Sequence, residues 1–341
     1  MKIGVVGATG LVGGKLIYLL EKTLLPIEEI RVIASSQSSG KDLLFKNHKI
    51  KIQKLSDKVF DNLNLVFFMT NNDVTKKYVD IALEKGAVVI DNSSVYRMKE
   101  NVPLVVPEIN PFTIKKENRL IANPNCSTIQ LAMILNALGK INSIKRVDVS
   151  TYQAVSGAGK EAIDEYLFQI ELYNKSTLIP KILPVKDLKK HYFILNNSIP
   201  QIDKFSVNGY SKEELKVIYE SQKILGLEFS ISCTAVRVPV LNGHSESVTV
   251  TFSENVDLSN VYEILNNSVN IVVLDDIENQ IYPIAEICQD RSEVFVGRIR
   301  KDLYCDKVLH LWIVADNLIK GAAANALQIA EKCYQEKIYG W

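Results

Sequence analysis

Cys126 is the residue with the most chemical potential in this chain. It stands in "NPNCSTIQLAMILNAL", directly after an apolar run, Leu120 to Ala122, that reads as a buried strand. Pro124 breaks that strand, and Asn125 is suited to cap a helix. Leu131, Ile134, Leu135 and Leu138 then recur at the spacing of one apolar helix face. A thiol in the first helical turn meets unpaired N–H groups and the positive end of the macrodipole, which favour its thiolate. The competing reading is a small buried hydrophobe, the usual fate of a free cysteine. Its partners decide between the two. His244 follows an Asn-Gly pair in "RVPVLNGHSESVTV", with Arg237 at the head of that stretch, and Gln153 lies near the end of the alternating run "VDVSTYQ". Cysteine, histidine and nearby anion-binding groups make an acyl-transfer site. His48 and His191 sit in Lys-rich surroundings and read as surface residues, and His310, in "KVLHLWIV", as a strand residue. No Cys/His spacing suggests a zinc cluster, so no metal is expected. In "YSKEELK", Ser211 and Glu214 form a capping-box pattern, while Glu213 and Lys216 share one helix face.

The elements that must position these residues are legible upstream. "MKIGVVGATGLVGGKLIYLLEK" reads as strand, glycine-rich turn and helix, with Gly7, Gly10 and Gly13 where backbone must approach a pyrophosphate. The next strand, in "EIRVIASSQSSGK", ends without the Asp or Glu that would bind a ribose 2′-hydroxyl. Ser35, Ser36, Ser38 and Lys41 follow instead, which favours NADP over NAD. Residues 65–69, 74–85 and 87–90 continue as strand, helix and strand, the repetition of a mostly parallel, doubly wound sheet. Arg97 falls in the loop past the last of these, where open α/β sheets bind ligands. Further on, "TAVRVPVLNGHSESVTVTF" reads as an antiparallel strand pair around its Asn-Gly turn.

With 341 residues, the chain has length for two domains. Its apolar content of 47% and charged content of 23% are ordinary for a globular protein, and the formal charge of +1 gives no field to recruit nucleic acid or an acidic membrane. Five scattered cysteines do not form a disulfide framework and point to a reducing compartment. The opening strand leaves no room for a signal peptide, and no apolar run nears the ~20 residues of a membrane span. The expected location is cytoplasmic.

The segments "GATGLVGGKL", "VVIDNSSVYRM", "PLVVPEIN", "NPNCSTIQ", "TYQAVSGAGK", "IPQID", "EELK", "RVPVLNGHSESVTV", "VGRIRKD" and "ADNLIKGAAANALQIAE" occur in order over nearly the whole chain. Together they resemble the bacterial aspartate-β-semialdehyde dehydrogenases. The resemblance implies an α/β fold: an N-terminal Rossmann-like doubly wound domain over 1–126, completed by the C-terminal helix 317–341, plus an α+β catalytic and dimerisation domain with a mixed sheet over 127–316. It implies NADP-dependent conversion of L-aspartyl 4-phosphate to L-aspartate 4-semialdehyde and phosphate, toward lysine, threonine and methionine. By the same resemblance Cys126 is the nucleophile, His244 the acid–base residue and Gln153 the group orienting the intermediate. Arg237 grips the substrate α-carboxylate, Arg97 and Lys216 bind phosphate, and Asn125 lies among the substrate-binding residues. The substrate amine falls to Glu213 rather than Glu214, because Glu213 shares a face with Lys216. Gly7, Thr9, Gly10, Leu11, Val12, Ser35, Ser38, Ser156, Gly157 and Asn317 match the cofactor-binding set. A homodimer is expected, with a tetramer as the larger alternative, and neither nucleic acid nor membrane as partner.

Two departures from the family stand out. Gln37 in "SSQSSGK" replaces the arginine of the family's "SARSAGK", which removes a charge expected at the 2′-phosphate and leaves NAD use open. "FFMTNNDVT" lacks the family's small-residue pattern, and Asn71 or Asn72 would have to substitute through side-chain amides. Two rivals remain in view: N-acetyl-glutamyl-phosphate reductase, which uses the same Cys/His logic, and a non-catalytic dinucleotide-binding paralogue.

Overall fold

Val5 and Val6 are neighbours on one strand, both buried, and belong to different cores, as in a sheet covered on both faces. The computed structural model describes residues 1–172, 179–226 and 229–341. They divide into two units, Met1–Asn125 with Ala322–Trp341, and Cys126–Gly321.

The first unit runs β1 (Lys2–Val6), α1 (Leu11–Leu20), β2 (Glu29–Ala34), the hairpin β3 (Asp42–Phe45) and β4 (His48–Lys51), β5 (Gln53–Lys54), β6 (Leu65–Phe68), α2 (Asn72–Glu84), β7 (Val88–Asp91) and β8 (Leu120–Ala122). Six strands form one parallel sheet in the order β5-β2-β1-β6-β7-β8. Side chains alternate across a strand, so Ile3, Val5, Leu65 and Phe67 pack with Leu16, Ile17 and Leu20 of α1. Val6, Val66, Phe68 and Val89 pack with Val79 and Ala82 of α2 in the second core. This is the doubly wound architecture that the βαβ repetition predicts.

The turn from β1 into α1 depends on two glycines. Gly7 has φ +83° and passes so close to β6 that an added Cβ would lie 2.1 Å from the Met69 carbonyl oxygen; at Gly13 one would lie 2.1 Å from the Gly7 carbonyl oxygen. Gly7→Ala is therefore expected to cost more than the ~1–2 kcal/mol of a left-handed non-glycine residue, because the backbone must also retreat. A urea midpoint unchanged from wild type would refute this.

The second unit runs α3 (Cys126–Leu138), β9 (Ile144–Gln153), α4 (Lys160–Glu171), α5 (Lys212–Leu225), β10 (Ser230–Arg237), β11 (His244–Phe252), α6 (Leu258–Asn266), β12 (Ile271–Val273), β13 (Val294–Lys301) and β14 (Val308–Ala315). Its sheet is mixed, in the order β10-β9-β11-β14-β13-β12. Helix α3 packs against α5, α6 and β11 and is buried nearly all round, not on one face as its periodicity suggests.

The expected hairpin around Asn242-Gly243 does not form. β9 lies between β10 and β11, pairing parallel with the first and antiparallel with the second. Pro239 has no N–H for a ladder, and the carbonyls of Val240 and Leu241 are taken by the amides of Val155 and Ser156. The six residues 238–243 easily span two strand spacings of about 4.8 Å each.

After β14 a π-helical turn, Ile319–Ala323, leads into α7 (Ala324–Gln335), which packs beside α1 in the first unit. The unit boundaries differ from those drawn on sequence. Cys126 opens the second unit through α3, and residues 317–321 belong there too. Asn317 bonds Ser156 and Gly243, which explains its place. Among the described residues no helix is long and apolar enough to cross a membrane, and no group of His, Cys, Asp or Glu side chains could hold a metal ion.

Candidate active site

In the second unit three strand ends and one helix start supply the chemistry. Gln153 and Arg237 are register partners at the ends of the parallel strands β9 and β10. His244 is the first residue of β11, and Cys126, half-buried, the first of α3.

One backbone residue connects two of these groups. The Ala154 N–H donates to His244 Nδ1 at 3.0 Å, and the Ala154 carbonyl accepts from Arg237 Nη1 at 2.6 Å. An Nδ1 that accepts must carry a lone pair, so the neutral ring bears its proton on Nε2. That Nε2 makes no hydrogen bond to any described residue. The imidazole is fully buried, and burial, helped by the Arg237 charge, pushes its pKa down to about 3. At neutral pH His244 is thus an uncharged ring offering one N–H.

Arg237 is buried, which lowers its pKa, while Glu213 and Cys126 oppose the shift; the guanidinium is therefore within electrostatic reach of the thiol. Gly157 keeps the space beside it open: an added Cβ would lie 2.8 Å from Arg237 Nη1 and 3.2 Å from His244 Nε2. Gly321 does the same for the nucleophile, where a Cβ would sit 2.8 Å from that of Cys126.

Gln153 Nε2 donates to Glu213 Oε1 at 3.1 Å, and its Oε1 accepts from Thr151 Oγ1 at 3.1 Å, which fixes the orientation of the amide. Glu213 Oε2 pairs with Lys216 Nζ at 3.0 Å, and Lys216 also reaches Asp203 Oδ2 at 3.2 Å. Glu214 is occupied elsewhere. Its Oε2 accepts the Ser211 N–H in a complete capping box, and its Oε1 accepts the Ala235 N–H. Asn317 accepts the Gly243 N–H at 2.9 Å and bonds Ser156 Oγ at 3.0 Å through Nδ2. It therefore braces the residue before His244.

The first unit holds the remaining predicted residues. Arg97 is buried and donates to the Asn92 carbonyl at 2.7 Å, with the Asp91 carboxyl close enough to feel its charge. Asn125 is buried. Thr9 is exposed, and Leu11 and Val12 half-buried, at the start of α1. Gly10 is the N-cap, with no side-chain cap bond and no acidic residue in the first turn. Those N–H groups and the Cβ-free turn at Gly7 fit a pyrophosphate. Ser35 is exposed and Ser38 half-buried in the turn after β2, with Gln37 exposed between them. Asn71 and Asn72 are both engaged: Asn71 caps α2 by accepting from Val74, and Asn72 bonds Ser94.

Sequence reasoning passed over Thr151, Ala154, Asp203 and Gly321. Asp203 lies in the quoted "IPQID" segment and Gly321 in "KGAAANA", so a signal existed for both. Ala154 acts through its main chain, which leaves no trace in residue type.

The buried imidazole has a consequence for stability. An unfolded histidine binds a proton near 6.5, but His244 resists until about 3, so between these values the unfolded chain holds the extra proton. Stability then falls as pH drops from about 6.5 toward 3, at up to ~1.4 kcal/mol per pH unit from this one group. Urea melts at pH 7 and pH 5 should show a smaller drop in His244→Asn than in wild type. Equal drops would mean that another group is responsible.

Residues 2–117 match the family described as "Semialdehyde dehydrogenase, NAD binding domain", and residues 135–320 match "Semialdehyde dehydrogenase, dimerisation domain". The chain is 45% identical to the aspartate-semialdehyde dehydrogenase of Campylobacter jejuni, with 98% of each chain covered. It is 42% identical to that of Bacillus subtilis, covering 97% of this chain and 96% of the relative. Among solved structures, aspartate semialdehyde dehydrogenase II of Vibrio cholerae complexed with ASA superposes with TM-score 0.92 at 36% identity, over 98% of both chains. The enzyme of Candida albicans with NADP superposes with TM-score 0.75 at 26% identity, over 99% of both.

Proposed function

Because the chain belongs to the aspartate-semialdehyde dehydrogenase family, we propose that it performs NADP-dependent reductive dephosphorylation of L-aspartyl 4-phosphate to L-aspartate 4-semialdehyde, with Cys126 as nucleophile. The observation that carries the reading is the arrangement around Cys126: a thiol at a helix start, a buried guanidinium within electrostatic reach, and a neutral imidazole with an unengaged N–H.

The Cys126 sulfur attacks the acyl carbonyl, the bond to phosphate breaks, and a thioester forms. Arg237 holds the α-carboxylate through its planar fork. Glu213 receives the α-amine, Gln153 orients the acyl group, and Lys216 and Arg97 take phosphate. Lys216 then exchanges one of its carboxylate contacts for the ligand. When bound, the nicotinamide would supply hydride to the thioester carbon. His244 directs its Nε2–H at the oxygen that gains negative charge, a donor aimed where charge develops. The hemithioacetal anion expels Cys126 as thiolate and frees the aldehyde, while the proton consumed overall ends on phosphate. Gly7, Thr9, Gly10, Leu11 and Val12 would hold the pyrophosphate, and Ser35 and Ser38 the ribose phosphate. With no carboxylate after β2 the cofactor is NADP, held less tightly for want of a cation at Gln37.

The chain works as a homodimer. In support, the second unit exposes Tyr282 and Ile284 at a cleft of about 330 Å³ that Trp312 also lines, and the exposed Tyr152 ring lies 5.3 Å from that of Trp312. The test of the function is the reverse reaction, with semialdehyde, phosphate and either NADP or NAD, followed by nicotinamide absorbance. Phosphate-dependent turnover favouring NADP supports the reading. Turnover only with the N-acetylated glutamate substrate would replace it with the rival reductase.

A further inference from the structure

Lys54 is an exposed cation with no part in the reaction above. It closes β5, the edge strand of the parallel sheet, and is the register partner of Ala34, the last residue of β2. The Leu55 N–H donates to the Ala34 carbonyl at 3.0 Å, so the two strands end level with each other. Adjacent strands place such partners about 4.8 Å apart. Side chains alternate along β5: Ile52 packs in the core under α1 and Leu55 in the core under α2, which puts Lys54 on the α1 face. That face also carries the start of α1, fitted to a pyrophosphate. The Ser38 and Ser39 amides both bond back to the Ser35 carbonyl, and the Gly40 N–H donates to the Ile52 carbonyl at 2.9 Å. The turn that bears Ser35 and Ser38 is thus pinned to the strand that bears Lys54. Among the described residues the Lys54 ammonium enters no hydrogen bond or ion pair, whereas Lys51 pairs with Asp42 at 2.8 Å and Lys46 lies over the Phe45 ring. Asp57, the next acid along the chain, lies where its charge is felt by Lys85.

We propose that Lys54 is a specificity-determining residue: its ammonium meets the 2′-phosphate of NADP and supplies, from the neighbouring strand, part of the positive charge that position 37 lacks. The assignment rests on the function proposed above and deepens its cofactor reading. Open α/β sheets bind ligands just outside the carboxyl ends of their strands, and the chemistry at the end of the second strand decides what is accepted at the ribose 2′ position. Here no carboxylate follows β2, and Gln37 is neutral. A lysine one strand over approaches the same point from the side, on a flexible stem that carries a compact charge. Lys41, at the end of the turn, likewise has no partner among the described residues but sits less well. The Ile52 N–H donates to the Lys41 carbonyl, which sets Lys41 level with Ile52, about 6.6 Å back from Lys54 along the strand. The 2′-phosphate is the group by which NADP differs from NAD, so a charge placed there acts on one cofactor and not on the other. A lysine that is merely solvated would affect neither.

Binding, not turnover, gives the test. NADP and NAD are titrated separately into the full-length protein by calorimetry, with no semialdehyde or phosphate present. Lys54→Ala should raise the Kd for NADP about tenfold, the loss of one charge-assisted contact, and leave the Kd for NAD within about twofold of wild type. Lys54→Arg should keep the Kd for NADP within about threefold, because the charge stays. Lys54→Glu should reverse the preference, since a carboxylate there repels a 2′-phosphate and leaves a 2′-hydroxyl alone. The side chain is exposed, so the fold should tolerate all three changes, and unchanged NAD affinity is the internal check. A Kd for NADP within about twofold of wild type in Lys54→Ala would overturn the proposal, and so would equal losses for both cofactors. A wild type that binds NAD as tightly as NADP, or neither, would sink the cofactor reading and Lys54 with it. A wild type that discriminates in binding but does not turn over would remove the proposed reaction and leave Lys54 in place.

Discussion

Cys126→Ser lowers turnover by about 10⁴ or more, although only one atom changes. The hydroxyl of a serine ionises far above neutral pH, and one helix start cannot close that gap, so the variant has no nucleophile to displace phosphate. The same variant separates the steps. With L-aspartyl 4-phosphate and no nicotinamide, wild type should release a burst of phosphate equal to its active sites and gain the mass of an acyl group on Cys126. The serine variant should release none. Cys126 is the first residue of α3 and only half-buried, so the substitution leaves the core intact and the melting temperature close to wild type. A serine variant that keeps more than about a hundredth of wild-type turnover would remove the thioester from the mechanism.

His244→Ala is the second large effect, a fall of about 10²–10⁴ in kcat with a smaller change in KM. The loss falls on kcat because the imidazole N–H meets an oxygen that is strongly negative only after hydride arrives. The phosphate burst of the acylation step should survive in this variant, in contrast to Cys126→Ser. The pH profile gives a sharper check. A ring held neutral down to about 3 contributes no limb to kcat between pH 5 and 8, so any limb there belongs to another group. An acid limb near 6.5 that disappears in His244→Gln would show that the imidazole titrates during turnover and would reverse its assignment as a neutral donor.

Some of this was written in the sequence and some could not be. The turn at Gly7, the helix after Asn125 and the capping box at Ser211 are local events, and local chemistry announces them. Cys126 could be singled out because a helix start changes what a thiol can do, and that is a property of neighbours in sequence. Strand neighbours are a different matter. "NG" between two apolar runs signals a hairpin, yet β9 intervenes, because pairing is decided by which strands the helices cover and not by the turn alone. The tautomer of His244 was equally hidden, since it is set by an amide 90 residues earlier in the chain. Helix periodicity separates Glu213 from Glu214, and their contacts differ accordingly: Glu214 meets the Ser211 and Ala235 amides, while Glu213 meets Gln153 and Lys216. Glu246 did leave a signal: alternation along β11 puts it on the apolar face of Val248, Val250 and Phe252, where it is fully buried.

The Ala154 peptide holds both the imidazole and the guanidinium, and it does so without a side chain. A small residue at that position therefore leaves both contacts standing, whereas a large one would crowd the core around the fully buried Ala154 and shift the peptide. Proline is the exception, because it alone deletes the N–H. A function written into side chains drifts by single substitutions, whereas this part of the site is carried by atoms common to nearly every amino acid. The identity of the proton-bearing nitrogen is thus set by the main chain, and exchange of Ala154 among small residues would leave the His244 tautomer the same.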